Sequence, residues 1–214
     1  MTHRAAFFVV LEGPDGGGKS SVAPALVEHL RAEGYATCHH VREPGGTAVG
    51  ERIRGILLDT TLGEMERTTE TLLYLAARAE LIGKVIGPAL SRGEAIVCER
   101  FLLSTIVYQC VAGGVDPNWI RDCFRPLSAG IVPDLTLVLD VPPEVGLLRR
   151  GPAKDRLEAR DLEYHRRVRQ GFLDAVRDDP EHVRRVDATA AREEVTAGIL
   201  REVDDVLRHR RRAR

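Results

Sequence analysis

The apolar positions of this chain follow two alternating rhythms. Short runs such as FFVVLE (7–12), EAIVCER (94–100) and DLTLVLD (134–140) carry apolar side chains on both sides of a pleat, which predicts strands buried on both faces. TCHHVRE (37–43) and HVRRVDA (182–188) read as two further, weaker strands. Between the strands the period lengthens. Over 19–33 the residues Val22, Leu26 and Leu30 recur every fourth position, giving one helix face, with Gly34 as a stop. GERIRGILLD (50–59) and RTTETLLYLAARAELIGKVIGPAL (67–90) read as helices, the second capped at Thr68 or Thr69. Helices also follow at 104–111, from DPNW with Pro117 in its first turn, at 142–150, at 161–176 and at about 191–208. Strands alternating with helices predict a parallel sheet covered on both faces, an α/β fold of one domain over 1–214. Pro24 lies in the second turn of the first helix and is expected to kink it.

Composition narrows the class. With 214 residues, 43% apolar and 29% charged, the chain is expected to be soluble and to hold one sizeable core. Aromatic residues are scarce at 5%, so that core rests on Leu, Val, Ile and Ala. A net charge of −1 argues against a general nucleic-acid binder. The basic end RHRRRAR (208–214) reads as a frayed, solvated helix end rather than a nucleic-acid patch. No apolar run reaches membrane-spanning length, and the amino-terminal one lacks a signal-like cleavage site. Four cysteines without a C-x-x-C pair, Cys98 inside an apolar run, suit a reduced, cytoplasmic protein. The neighbours His39 and His40 point to opposite faces of a strand and do not form a metal pair.

The first strand ends abruptly in glycines and a lysine. Gly13 to Ser20 reads G-P-D-G-G-G-K-S, matching G-x-x-x-x-G-K-[ST] between a predicted strand and a predicted helix. Glycines allow the backbone N–H groups to turn inward onto an anion, and the helix start adds a positive dipole end. Gly13, Pro14, Asp15, Gly16, Gly17, Gly18, Lys19, Ser20 and Ser21 are therefore the candidate triphosphate cradle. Within it Lys19 follows the transferring phosphate and Ser20 offers a hydroxyl to Mg²⁺. No N-K-x-D-like base-reading motif of a GTPase is present. The predicted fold is a three-layer phosphate-loop kinase fold, a central parallel five-stranded sheet flanked by helices, with a short lid at about 149–160.

In family order the chain also carries LEGPDGGGKSS, REPGGTAVGERIR, LLYLAARAEL, CERFLLSTIVYQ, PDLTLVLDVPPEVGLLRR and DRLEARDLEYHRRVRQGF. With these blocks it resembles the thymidylate kinase family from about residue 7 to residue 172. The resemblance implies ATP-dependent phosphorylation of dTMP to dTDP, with Mg²⁺, in a homodimer joined through sheet-covering helices. It implies that Asp15 accepts from the sugar 3′-hydroxyl and that Arg42 lies near the acceptor phosphate. Arg54 either reaches the same phosphate or sits on a solvated helix face. Tyr74 and Arg78 share a helix face, and the resemblance has Tyr74 stack on thymine while Arg78 donates to a base carbonyl. Glu99 and Arg100 end the third strand, where ligands bind in open sheets. Arg100 is expected to clamp the acceptor phosphate, and Glu99, where the family commonly has Asp, to act at Mg²⁺ directly or through water. Ser104, Thr105, Tyr108 and Gln109 are expected to read the base edge, with Tyr108 excluding a 2′-hydroxyl. After Gln109 the chain reads CVAGGV, where many relatives have a glycine and an arginine.

Phosphoryl transfer needs position and positive charge more than a base. The acceptor oxygen is already ionised at neutral pH, so no general base is expected. Some relatives carry an arginine inside the phosphate loop; here those positions are Gly16 and Gly17. The countercharge is then expected from the loop RRGPAKDRLEAR (149–160), with Arg150 and Arg156 first and Arg149, Lys154 and Arg160 as rivals. Two other readings stay open: a kinase of a different nucleoside monophosphate, and a non-catalytic phosphate-loop protein that keeps the fold.

Overall fold

The computed structural model describes residues 5–151 and 160–212. Five parallel strands form one sheet in the order β2-β3-β1-β4-β5. They are β1 (Phe7–Glu12), β2 (Cys38–Arg42), β3 (Ala95–Glu99), β4 (Leu135–Asp140) and β5 (Val183–Asp187). The three central strands β1, β3 and β4 are the mainly apolar runs, and every residue of each is buried. The edge strands β2 and β5 are the weaker ones in sequence and are only partly covered.

Side-chain alternation along β1 divides the core. Phe7, Val9 and Leu11 face a layer built by α1 (Lys19–Ala32) and α9 (Arg192–Arg212). Phe8 and Val10 face the opposite layer, formed by α3 (Arg67–Leu81), α4 (Gly87–Ser91) and α6 (Pro117–Leu127). The helices α2 (Ala48–Leu58), α5 (Leu102–Thr105), α7 (Pro143–Arg150) and α8 (Leu162–Asp178) complete the described set. A third cluster, Val107, Tyr108, Val138, Tyr164, Val168 and Phe172, packs α8 against the segment after α5.

Several expected boundaries move. The cap of α3 is Glu66, whose carboxylate accepts from the N–H groups of Thr68 (2.6 Å) and Thr69 (3.0 Å). A charged acceptor two residues before Thr68 serves the positive helix end better than a threonine hydroxyl. Two π-helical stretches interrupt the helices, at Ile82–Ile86 and at Ile106–Val111. The second carries Tyr108 and Gln109; such bulges often re-aim side chains at functional sites. Helix α1 runs through Pro24 without interruption, because proline's fixed φ is helical and only one hydrogen bond is forfeited. The basic carboxyl end is anchored rather than frayed. Helix α9 reaches Arg212, Arg210 pairs with Asp134 at 3.0 Å and lies 5.5 Å from the Phe7 ring centroid, and Arg211 pairs with Glu33. Among the described residues no helix is long and apolar enough to cross a membrane.

Candidate active site

Parallel strands end on one side, so the loops after β1, β3 and β4 meet above the middle of the sheet. The β1 loop wraps onto the start of α1 with positive φ at Gly13, Gly16 and Gly18. At Gly16 the reason is also steric. A Cβ there would lie 2.1 Å from the carbonyl oxygen of Gly146, so the loop touches the α7 backbone directly. A charged side chain at this position would collide with that backbone.

Lys19 folds back into its own loop, donating to the carbonyls of Gly13 (2.8 Å) and Pro14 (2.9 Å). Burial pushes its ammonium down to about 7, and Arg100 adds repulsion; Asp15, Glu12 and Glu99 oppose the shift without cancelling it. Ser20 donates to a Glu99 oxygen, and His40 Nε2 lies 2.8 Å from the other oxygen of the same carboxylate. A hydroxyl and a carboxylate side by side form the hard oxygen set that suits Mg²⁺. Ser21 stays exposed, its carbonyl accepting from Arg192 at 2.8 Å.

Across the loop lies a cavity of about 150 Å³. Every residue nominated for the acceptor except Arg42 lines it. Asp15 comes from the β1 loop, Arg54 from α2, Tyr74 and Arg78 from α3, Arg100 from the end of β3, and Ser104, Thr105, Tyr108 and Gln109 from the helix that follows. Arg42 points away, exposed and 3.5 Å from Glu51. Arg54 is drawn in by its bond to the Pro44 carbonyl (3.0 Å), which separates it from a merely solvated helix face.

Arg100 is the centre of this network. It adopts φ +67°, a backbone conformation unfavourable for a side chain with a Cβ. Its guanidinium donates to Asp15 (2.5 Å), the Ser104 hydroxyl (3.1 Å) and the Gly13 carbonyl (3.3 Å), and sits 5.0 Å from the Tyr108 ring centroid. Burial alone would raise the Asp15 carboxyl, but Arg100 and Lys19 more than offset it and hold the acid below its ordinary value. The acceptor and donor loops are thus tied by one ion pair.

Three buried acids escape a reading of the sequence, and each aims a nominated residue. Glu12 is fully buried at the end of β1 and accepts from the N–H of Phe101 (2.8 Å), the N–H of Ser104 (3.0 Å) and the Ser104 hydroxyl (2.5 Å). It fixes the turn that carries Arg100. Glu43 accepts from Arg78 Nε at 2.6 Å, and burial pushes its carboxyl up to about 7 against that attraction. Arg78 also donates to the Phe101 carbonyl (2.9 Å) and the Thr105 hydroxyl (3.0 Å), which leaves its Nη1 buried with no hydrogen-bond partner. Glu70 accepts from Gln109 Nε2 at 3.1 Å. A signal for Glu70 was available: it precedes Tyr74 and Arg78 by successive steps of four on one helix face.

The lid candidates separate. Arg150 lies at the end of α7, close enough for its charge to act on Asp15. Arg149 is committed elsewhere, donating to the carbonyls of Ala188 (2.5 Å) and Thr189 (2.8 Å) after β5. Arg160 stacks 5.9 Å from the Tyr164 ring centroid. Lys154 and Arg156 lie outside the described residues.

Comparison with known proteins points one way. A family model described as thymidylate kinase matches residues 11–199. A thymidylate kinase of Synechococcus sp. (strain JA-2-3B'a(2-13)) is 46% identical over 200 residues, covering 94% of this chain and 95% of that one. One from Thermomicrobium roseum is 42% identical over 212 residues, covering 97% and 99%. The crystal structure of thymidylate kinase from Ehrlichia chaffeensis superposes with a TM-score of 0.77 at 28% identity, covering 94% of this chain and 99% of that one.

Proposed function

This chain belongs to the thymidylate kinase family, and we propose that it phosphorylates dTMP to dTDP with ATP as donor and Mg²⁺ as cofactor. The single observation that carries the reading is the cavity beside the glycine cradle, whose lining brings Tyr74, Arg78, Tyr108 and Gln109 together with Arg54 and Arg100. Flat and hydrogen-bonding groups suit a pyrimidine; two guanidinium groups suit a phosphate monoester.

In this mechanism the ATP phosphates lie on the loop 13–20, where backbone N–H groups and the α1 amino terminus hold them. Their arrival replaces the Gly13 and Pro14 carbonyls as partners of Lys19. Arg100 and Arg54 fix the dTMP phosphate. One of its ionised oxygens attacks the γ-phosphorus, a new P–O bond forms, and the bond to the β–γ bridging oxygen breaks to release ADP. No proton needs to leave the nucleophile. Lys19 and Arg150 face charge spread over the transferring group. Ser20 and Glu99 would hold Mg²⁺, whose contribution when bound is to neutralise triphosphate charge. The four buried or partly buried free thiols fit the cytoplasmic setting that belongs to the same reading.

Supplying dTMP, dUMP, dCMP and AMP in turn with ATP and Mg²⁺, and following ADP release, tests the activity. Turnover with dTMP above the others is the expected result. Turnover with none of them would leave a non-catalytic nucleotide binder. The homodimer is supported by Val49 and Ile56 on α2 and Leu72 on α3, exposed at 50%, 44% and 48% on two helices packed together. Sedimentation equilibrium should give the mass of two chains, and Leu72→Glu should return it to one; a wild-type mass of one chain removes the dimer.

A further inference from the structure

Gln109 stands between two cavities. One is the acceptor cavity; the other, of about 170 Å³, lies behind it and is lined by Glu70, Tyr108 and Gln109 among others. Glu70 lines only the second. Both side chains are buried, and Gln109 Nε2 donates to Glu70 Oε1 at 3.1 Å. A carboxylate offers only acceptors, whereas the two ends of a glutamine amide have opposite character. The nitrogen end must therefore turn to Glu70, which leaves the oxygen end for the acceptor cavity.

Arg78 also lines this cavity and carries a second polar group without a partner. Arg78 Nη1 is buried and has no hydrogen-bond partner, its other nitrogens being held by Glu43, Phe101 and Thr105. The wall thus presents a donor from Arg78 and an acceptor from Gln109. That pair complements a ring carbonyl next to a ring N–H, the C4=O and N3–H edge of thymine or uracil. Cytosine inverts both groups, with an amino donor at C4 and a lone pair at N3. It would set donor against donor and acceptor against acceptor. Had the amide been free to flip, Gln109 would serve both bases and select neither.

Resting on the reading that the pyrimidine occupies this cavity, we propose that Glu70 is a specificity-determining positioning residue. By fixing the orientation of the Gln109 amide it makes the site take a 4-oxo pyrimidine monophosphate and refuse a 4-amino one. Glu70 touches no substrate and acts through Gln109.

The experiment compares kcat/KM for dTMP, dUMP and dCMP in the wild type, Glu70→Gln and Gln109→Ala. Glutamine at 70 keeps the size but can donate as well as accept, so the Gln109 amide is free to turn. The dCMP-to-dTMP ratio of kcat/KM should rise at least about tenfold in Glu70→Gln, mainly through KM, with dUMP moving alongside dTMP. A purely structural role would instead lower all three substrates together with the melting temperature. Glu70→Asp, which keeps the charge but withdraws it by one methylene, serves the same purpose if the glutamine variant does not fold. If the ratio stays within twofold in the Glu70 variant while Gln109→Ala raises it, Glu70 does not set specificity and the proposal falls, although the pyrimidine site stands. If neither variant moves the ratio, the pyrimidine does not lie against Gln109, and both fall.

Discussion

Replacing Lys19 with methionine is expected to lower turnover by roughly a thousandfold, the loss typical of removing a group aimed at developing transition-state charge. Methionine keeps the unbranched stem and deletes only the ammonium. In the free protein that ammonium is a burden. It is buried beside Arg100, and its value near 7 means that the site prefers the neutral amine at alkaline pH. The folded pKa lies below that of the unfolded chain, so between about 7 and the ordinary lysine range the unfolded chain binds more protons. Lys19 therefore makes stability rise with pH across that window, and the methionine variant should lose this slope, melting above the wild type at neutral pH and close to it at the alkaline end. Triphosphate binding reverses the balance by placing several negative charges against Nζ. At pH 8 the wild type should take up close to one proton per nucleotide bound, read by titration calorimetry in buffers of different ionisation enthalpy. The variant should take up none. Equal uptake by both would show that Lys19 is not the group that titrates, and an unaltered turnover number would take it out of the chemistry.

Arg100→Gly should separate stability from function most sharply. The residue is held at φ +67° by its neighbours: its N–H donates to the Leu11 carbonyl at 2.9 Å, and the next N–H donates to Glu12 at 2.8 Å. A residue with a Cβ is strained there by about 1–2 kcal/mol, and glycine is not. Glycine should thus give a more stable protein than alanine at this position, by about 1 kcal/mol. Activity runs the other way. Losing the guanidinium removes the link between Asp15 and Ser104 and the clamp on the acceptor phosphate. The value of kcat/KM for dTMP should fall by roughly a thousandfold in either variant. Thermal melts of the two variants decide the strain argument: an alanine protein as stable as the glycine one would end it. Retained kcat/KM for dTMP would end the clamp.

The sheet was legible because its three central strands are covered on both faces and so are written as mainly apolar runs. The cradle was legible because glycine spacing and a lysine at a strand-to-helix turn have few other uses. The acids behind the site were not. Glu12 is satisfied by backbone donors about ninety positions away in the chain, at Phe101 and Ser104, and no local pattern announces such a bond. Glu43 in REPGG reads as a polar loop residue until the fold brings Arg78 over it. Arg42 shows the converse: its block suggests the acceptor phosphate, yet its side chain turns to Glu51 on the neighbouring helix. His39 and His40 turn to different acids, Glu94 and Glu99, and the contact of His40 with Glu99 depends on β2 lying beside β3. The anchored basic tail depends likewise on Asp134 and Glu33, which only the folded chain delivers.

The backbone contact between Gly16 and Gly146 restricts the routes by which such a protein can change. A cation can be seated in the phosphate loop or on the loop beyond α7, but these are not freely exchangeable options. Introducing arginine at 16 demands that α7 retreat first, and a retreating α7 carries away Arg149 and Arg150. Mutational screens of this chain should find substitutions at 16 tolerated only in company with changes along 143–150.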